Sequence, residues 1–110
     1  ELKIKLHEGV YGTIGGPSYE TVSDGRFWRQ SGADSIGMST SHEAIVAAYC
    51  GLKVLAFSII TDKVTMDYDS DELVNHESIV KVANERAGDA EKLIEYFLKQ
   101  LYFNRHLLIY

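Results

Sequence analysis

Three short runs combine residue types that could bind a small molecule: Gly15-Gly16-Pro17-Ser18-Tyr19-Glu20-Thr21, Gly37-Met38-Ser39-Thr40 and Ile60-Thr61-Asp62-Lys63. In the first, paired glycines let the backbone pass close to a neighbour and Pro17 fixes the next turn. Tyr19 and Glu20 set an aromatic ring beside a carboxylate, a pair able to stack on and hydrogen-bond a heterocycle. The same residues also suit a plain loop with Glu20 in the first turn of a helix, where the dipole favours it. In the second run a strand ends and a helix begins, leaving unpaired N–H groups and the positive end of a helix dipole at the turn. Ser39 could donate there to an anion such as phosphate, or Ser39 or Thr40 could cap the helix, the commoner use of such residues. In the third, Asp62 follows an apolar strand. Ligands of open α/β sheets sit outside the carboxyl ends of the strands, but a surface turn would read the same way. If the strands are parallel, the loops after Ile14, Gly37 and Ile60 all open on one edge.

Other chemistries fail on spacing. Asp67-x-Asp69-x-Asp71-Glu72 invites a calcium loop, but Glu72 and Ser78 stand where Gly and Glu are required. It reads as a solvated charged loop. His7, His42, His76 and His106 show no His-x-x-x-His pairing, and no nucleophile elbow, phosphate-binding P-loop or dinucleotide Gly-x-Gly-x-x-Gly occurs. No metal site is expected. The net charge is −5 and the 11 basic residues are scattered, which argues against nucleic-acid binding. The single cysteine, Cys50, can form no internal disulfide and fits a reducing, cytoplasmic setting. The longest apolar runs are far too short to span a bilayer, and the first residues carry no signal-peptide profile. The chain starts at Glu1 without an initiator Met, which permits an upstream part.

The elements that must position these residues follow from patterning. Residues 2–6 alternate and residues 9–14 contain Val10, Tyr11 and Thr13, giving two expected strands. A helix is expected over 20–31 with Gly32 as its stop, then a short strand over 33–38. Thr40-x-x-Glu43 has capping-box spacing and opens a helix stopped by Gly51. Residues 52–60 form an almost continuous apolar run, the pattern of a strand buried on both faces. Apolar residues at Ile79, Ala83, Ala87, Ala90, Ile94, Phe97 and Leu101 define a long amphipathic helix with Asn75 as N-cap. Alternating strands and helices over 110 residues with 45% hydrophobic content make one α/β unit, its sheet mixed but largely parallel.

With Glu8-Gly9-Val10-Tyr11, Gly32-Ala33-Asp34, residues 50–54, Met66-Asp67-Tyr68 and Asn75-His76-Glu77 in register, the three runs resemble the trimeric purine nucleoside phosphorylases. The likeness extends from about residue 8 to about residue 91 and corresponds to the C-terminal part of that fold. It implies phosphorolysis: phosphate attacks C1′ of a purine (deoxy)ribonucleoside and releases the base and (deoxy)ribose 1-phosphate, a purine-salvage reaction with phosphate as co-substrate and no cofactor. It implies a homotrimer when complete. Residue by residue, Tyr19 falls beside the base and sugar, and Glu20 on the carboxylate that bonds N1–H of a 6-oxopurine. Ile36, Gly37 and Met38 line the base and ribose pocket. Ser39 falls on a phosphate donor, Asp62 on the residue facing N7 and the 6-substituent, and His76 on the contact to the ribose 5′-hydroxyl. Tyr11 falls near the sugar. Glu20, Asp62 and His76 are thus the residues implied in catalysis.

Two departures from the family pattern matter. The 6-oxopurine enzymes carry Asn where this chain has Asp62. An ionised Asp accepts only, which repels O6 and welcomes an N6 amino group; a protonated one could donate to N7. Asp62 therefore suggests a shift toward 6-aminopurine nucleosides, as in the related methylthioadenosine phosphorylases, although Glu20 is kept as in 6-oxopurine enzymes. The family's phosphate-site Arg and His also lie upstream of anything matching this chain. The isolated 110 residues are therefore expected to be inactive alone, as an enzyme fragment or a non-catalytic purine-binding module. The apolar tail over 102–110 exceeds the family's usual end and reads as packing or an interface contact.

Overall fold

A β-strand, a helix and a second strand open the chain, and the helix serves as the crossover that lets the two strands run parallel. The computed structural model describes residues 2–70 and 75–104. Its elements are β1 (Tyr11–Thr13), α1 (Val22–Gln30), β2 (Ser35–Gly37), α2 (Ser41–Tyr49) and α3 (His76–Phe103). Tyr11 pairs with Ser35, Gly12 with Ile36 and Thr13 with Gly37. Asp34 pins the entry to the pair: its carboxylate accepts from Val10 N–H at 2.8 Å, and its own N–H donates to Val10 C=O at 2.9 Å. Past the strand ends, Ile14 N–H still donates to Gly37 C=O at 3.0 Å.

Both short helices end as their glycines predict. Gly32 (φ +91°) and Gly51 (φ +74°) take left-handed backbone, and the next residues bond back five positions, Ala33 N–H to Trp28 C=O at 3.0 Å and Leu52 N–H to Ala47 C=O at 2.9 Å. Asn75 caps α3, its side-chain oxygen accepting from Glu77 N–H at 2.9 Å. The capping box, however, belongs to α1 and not to α2. Thr21 accepts from Asp24 N–H at 3.2 Å while the Asp24 carboxylate accepts from Thr21 N–H at 2.9 Å. Thr40 makes no side-chain cap, because its φ of +71° turns it away from the geometry that a capping residue needs.

Two expected strands are corrected. Residues 2–6 form no strand, and neither do residues 52–60. The second run is exposed rather than buried, with Leu52, Leu55 and Ile60 each more than 60% accessible. Its composition suits a covered strand, but a strand exists only against a ladder neighbour. Among the described residues no backbone–backbone hydrogen bond involves residues 54–60. The expected strands over 9–14 and 33–38 shrink to three paired residues each. The α3 stripe is also partly revised: Ala87 and Ile94 are exposed, while Val82 and Leu93 are half-buried beside Ile79, Ala83, Ala90, Phe97 and Leu101.

No hydrophobic side chain among the described residues is fully buried; Gly12 and Gly25 are the buried positions. Gly12 lies under Trp28 of α1, and a Cβ there would stand 2.8 Å from the indole. No helix among the described residues is long and apolar enough to cross a membrane, and no cluster there could hold a metal ion. Residues 71–74 of the acidic stretch, His106 and positions 105–110 of the tail lie outside the described residues.

Hydrogen bonds from the Thr21 hydroxyl and N–H hold the Asp24 carboxyl below its ordinary value. A depressed carboxyl stabilises α1 fully above the unfolded value of about 3.9 and loses that contribution as pH falls through the lower folded value. In an acid titration followed by NMR, the Thr21 amide should move with a midpoint below that of an unstructured Asp. Asp24→Asn should abolish the movement, and a midpoint at or above the unstructured value would exclude the box.

Candidate functional site

Parallel pairing sends the chain out of β1 and β2 at the same edge, and a half-open cleft of about 800 Å³ lies there. Tyr19 and Glu20 line it from the loop after β1; Ile36, Gly37, Met38 and Ser39 line it from β2 and the following turn. Tyr11 reaches it from β1 and Asp62 from the segment after residue 60. Eight of the nine residues singled out from the sequence therefore share one cleft. The ninth, His76, does not line it but shares a 3.3 Å hydrogen bond with the Tyr19 hydroxyl, through its Nδ1. That bond ties the first turn of α3 to the cleft wall.

Glycines set how closely the walls approach. Gly16 has φ +60°, backbone that favours glycine, and a Cβ there would stand 2.7 Å from the Met38 sulfur, so a larger residue would have to push that side chain aside. A Cβ at Gly37 would collide with the Tyr11 hydroxyl. Tyr11 thus lies over Gly37, and its oxygen accepts from Ser39 N–H at 3.4 Å. The Thr21 box fixes the start of α1 and so the place of Tyr19 and Glu20, the two residues before it.

The turn at Ser39 is a γ-turn of positive φ. Thr40 sits at φ +71°, ψ −57°, and Ser41 N–H donates to Ser39 C=O at 2.8 Å. A β-branched residue held there is strained, and such strain gathers at ligand sites. Thr13, at the end of β1, hydrogen-bonds through its hydroxyl to the Ser41 hydroxyl and fastens the turn to the sheet. The hydroxyls of Ser39 and Thr40 lie 3.2 Å apart. With no side-chain cap on α2, the cleft faces a serine hydroxyl at an uncapped helix start.

Asp62 is exposed, and its Oδ1 accepts from the Thr61 hydroxyl at 2.9 Å. Trp28, Phe57, Ile59 and Ile79 also line the cleft and were not singled out from the sequence. For Ile79 the missed signal was proximity to Asn75-His76; Trp28 sits within a helix pattern too weak to orient it. Chemically, the cleft offers carboxylate acceptors (Glu20, Asp62), aromatic and apolar walls (Tyr19, Trp28, Ile36, Met38) and a hydroxyl donor (Ser39). That set fits a flat heterocycle bearing N–H groups with an anion beside it.

A parallel strand pair with a cleft at the carboxyl ends of its strands places the chain in the α/β class, where that edge is the usual position for ligands. The family described as "Phosphorylase superfamily" matches residues 1–99, and the chain belongs to that superfamily. The chain is 42% identical over 102 residues to the purine nucleoside phosphorylase of Bos taurus, covering 93% of this chain and 35% of that one. It also resembles crystal structures of Schistosoma mansoni purine nucleoside phosphorylase in complex with adenosine and with inosine. Each gives a TM-score of 0.84 at 36% identity, over 86% of this chain and 34% of theirs. The chain thus spans about a third of the length of the relatives it matches.

Releasing the strain at Thr40 should stabilise the fold. Thr40→Gly is expected to gain about 1 kcal/mol net, strain relief exceeding the added freedom of the unfolded chain. Urea unfolding checks this; a loss of stability would rule out strain at this turn.

Proposed function

We propose that this chain forms the purine-binding part of a purine nucleoside phosphorylase. The observation that supports the reading best is the meeting of Tyr19, Glu20, Ser39 and Asp62 in one cleft, from three separate stretches of sequence. In this reading the purine stacks against Tyr19, with Ile36, Gly37 and Met38 beneath the base and sugar. Glu20 accepts from N1–H when the base is a 6-oxopurine, Asp62 faces N7 and the 6-substituent, and His76, held by Tyr19, meets the ribose 5′-hydroxyl. Tyr11 stands near the sugar and orders the turn that carries Ser39.

The reaction is displacement at C1′. A phosphate oxygen forms a bond to C1′ as the C1′–N9 bond breaks; the purine departs with the bonding pair and takes up a proton, and the ribose carries positive charge in between. Catalysis then consists of holding phosphate under C1′ and supplying hydrogen bonds to the departing base. Ser39 contributes the phosphate donor. The step as written needs phosphate as co-substrate and no organic cofactor or metal. A cytoplasmic homotrimer working in purine salvage belongs to the same reading.

Asp62 favours a 6-aminopurine, because an ionised carboxylate can accept from an N6 amino group and repels O6. The Schistosoma mansoni relative has been solved with both adenosine and inosine, so both kinds of purine are the ligands to try. A methylthioadenosine phosphorylase would also suit Asp62, but Ser18-Tyr19-Glu20-Thr21 argues against it. A non-catalytic purine-binding module is the other reading, and it would share the cleft without the chemistry.

The single tryptophan lines the cleft, so its fluorescence reports occupancy directly. Adenine and hypoxanthine should each change Trp28 emission saturably, with uracil inert; no saturable response to either purine would remove the reading. Asp62→Asn should shift the adenine-to-hypoxanthine affinity ratio toward hypoxanthine, on the order of tenfold for one charged hydrogen bond. An unchanged ratio would free Asp62 of that role. The isolated chain should not phosphorolyse inosine or adenosine, and measurable turnover by it would refute the expected dependence on further residues.

A further inference from the structure

A set of long-range side-chain contacts joins α1 to residues 64–68 along one wall of the cleft, which Gly25, Val64 and Met66 line. Arg26 Nε donates to Met66 C=O at 3.0 Å, and its guanidinium carbon stands 5.0 Å from the centre of the Tyr68 ring. The Tyr68 hydroxyl shares a 2.7 Å hydrogen bond with Ser23, one turn before Arg26 on the same helix. Between them, Gly25 is buried, and a Cβ there would stand 2.7 Å from a Val64 methyl and 3.3 Å from the Met66 sulfur. Two side chains of α1, Ser23 and Arg26, and the buried Gly25 between them therefore hold a single short segment.

That segment begins two residues after Asp62. On the other side of Asp62, residues 54–60 make no backbone–backbone hydrogen bonds to another segment among the described residues. Asp62 itself is exposed and bonded only to its neighbour Thr61 among the described contacts. Its place in the cleft is therefore controlled from the 64–68 side. We propose that Arg26, which does not line the cleft, is a positioning residue for Asp62. By fixing Met66 and Tyr68 on α1, it sets where the carboxylate meets the base edge. The proposal rests on the reading of Asp62 as a base-facing group. Arg26 suits the task because its planar, permanently charged guanidinium can donate to a carbonyl and stack on a ring at once, which a lysine ammonium cannot.

The test uses the full chain, with adenine and hypoxanthine as probes and Trp28 emission as the signal. Arg26→Gln should weaken adenine binding about tenfold, the loss expected when one charge-assisted hydrogen bond and a cation–π contact go together. It should also speed tryptic cleavage after Lys63, the basic residue immediately before the held segment. In an Asp62→Asn background, Arg26→Gln should cause little further loss, because a residue acting through Asp62 is silent once Asp62 is replaced. Tyr68→Phe, which removes only the bond to Ser23, should give a smaller change in the same direction and guards against a folding failure at Arg26. An undiminished Arg26→Gln loss in the Asp62→Asn background would make Arg26 merely structural and overturn the proposal. Unchanged cleavage at Lys63 would overturn it as well. If Asp62→Asn alone leaves purine binding unaltered, the reading of Asp62 fails and the proposal falls with it; faster Lys63 cleavage in Arg26→Gln would then show that the grip is real but serves no base contact.

Discussion

Parallel pairing of β1 with β2 obliges the chain to leave both strands at one edge, and the cleft depends on that geometry. An antiparallel pair would have sent the Gly15–Glu20 loop and the Met38–Thr40 turn to opposite ends. Asp34 secures the pairing at its start by trading hydrogen bonds with Val10 through both side chain and backbone. The helix between the strands is a consequence of the same requirement, since parallel neighbours need a crossover. Its own boundaries are set locally, by the Thr21–Asp24 box at one end and Gly32 at the other.

Within that frame, the approach of backbone to side chain decides the shape of the site. Gly16 against Met38, Gly37 under Tyr11 and Gly25 against Val64 are positions where a methyl group would displace a wall. At Thr40 the structure goes further and holds a β-branched residue at positive φ. The Thr13–Ser41 hydrogen bond fastens that turn to the end of β1. Strain at one residue is thus kept by contacts of its neighbours, and the residue that it presents is Ser39.

The run over 52–60 is apolar in composition yet exposed. The chain spans about a third of the length of the relatives it matches, and large hydrophobic residues such as Leu52, Leu55 and Ile60 are uncovered in it. Local signals such as caps, turns and glycine stops need only their own neighbours, and nearly all of them are satisfied here. Layered burial needs other segments packed on both faces, and for residues 52–60 the described residues do not supply them. Among the described residues the sheet is accordingly two strands wide rather than the broader one that the sequence pattern suggests.

Much of the site was legible in the residues. Asn75 before a periodic apolar stripe, Gly32 and Gly51 after their helices, and the spacing of the three motifs were each set by local chemistry that the chain carries with it. The capping box was misassigned to Thr40 because Thr40-x-x-Glu43 and Thr21-x-x-Asp24 look alike on paper; only the backbone angle at Thr40 separates them. The sequence by itself determined the helix boundaries, the α/β order and which residue types stand ready to meet a heterocycle, since these rest on steric and hydrogen-bonding preferences between near neighbours. Tertiary structure alone decided that Trp28 faces the cleft, that Tyr19 holds His76 across 57 positions and that Arg26 holds Met66 across 40. Those contacts depend on how α1 and α3 lie against the strand ends, a relation between distant segments that no local spacing encodes.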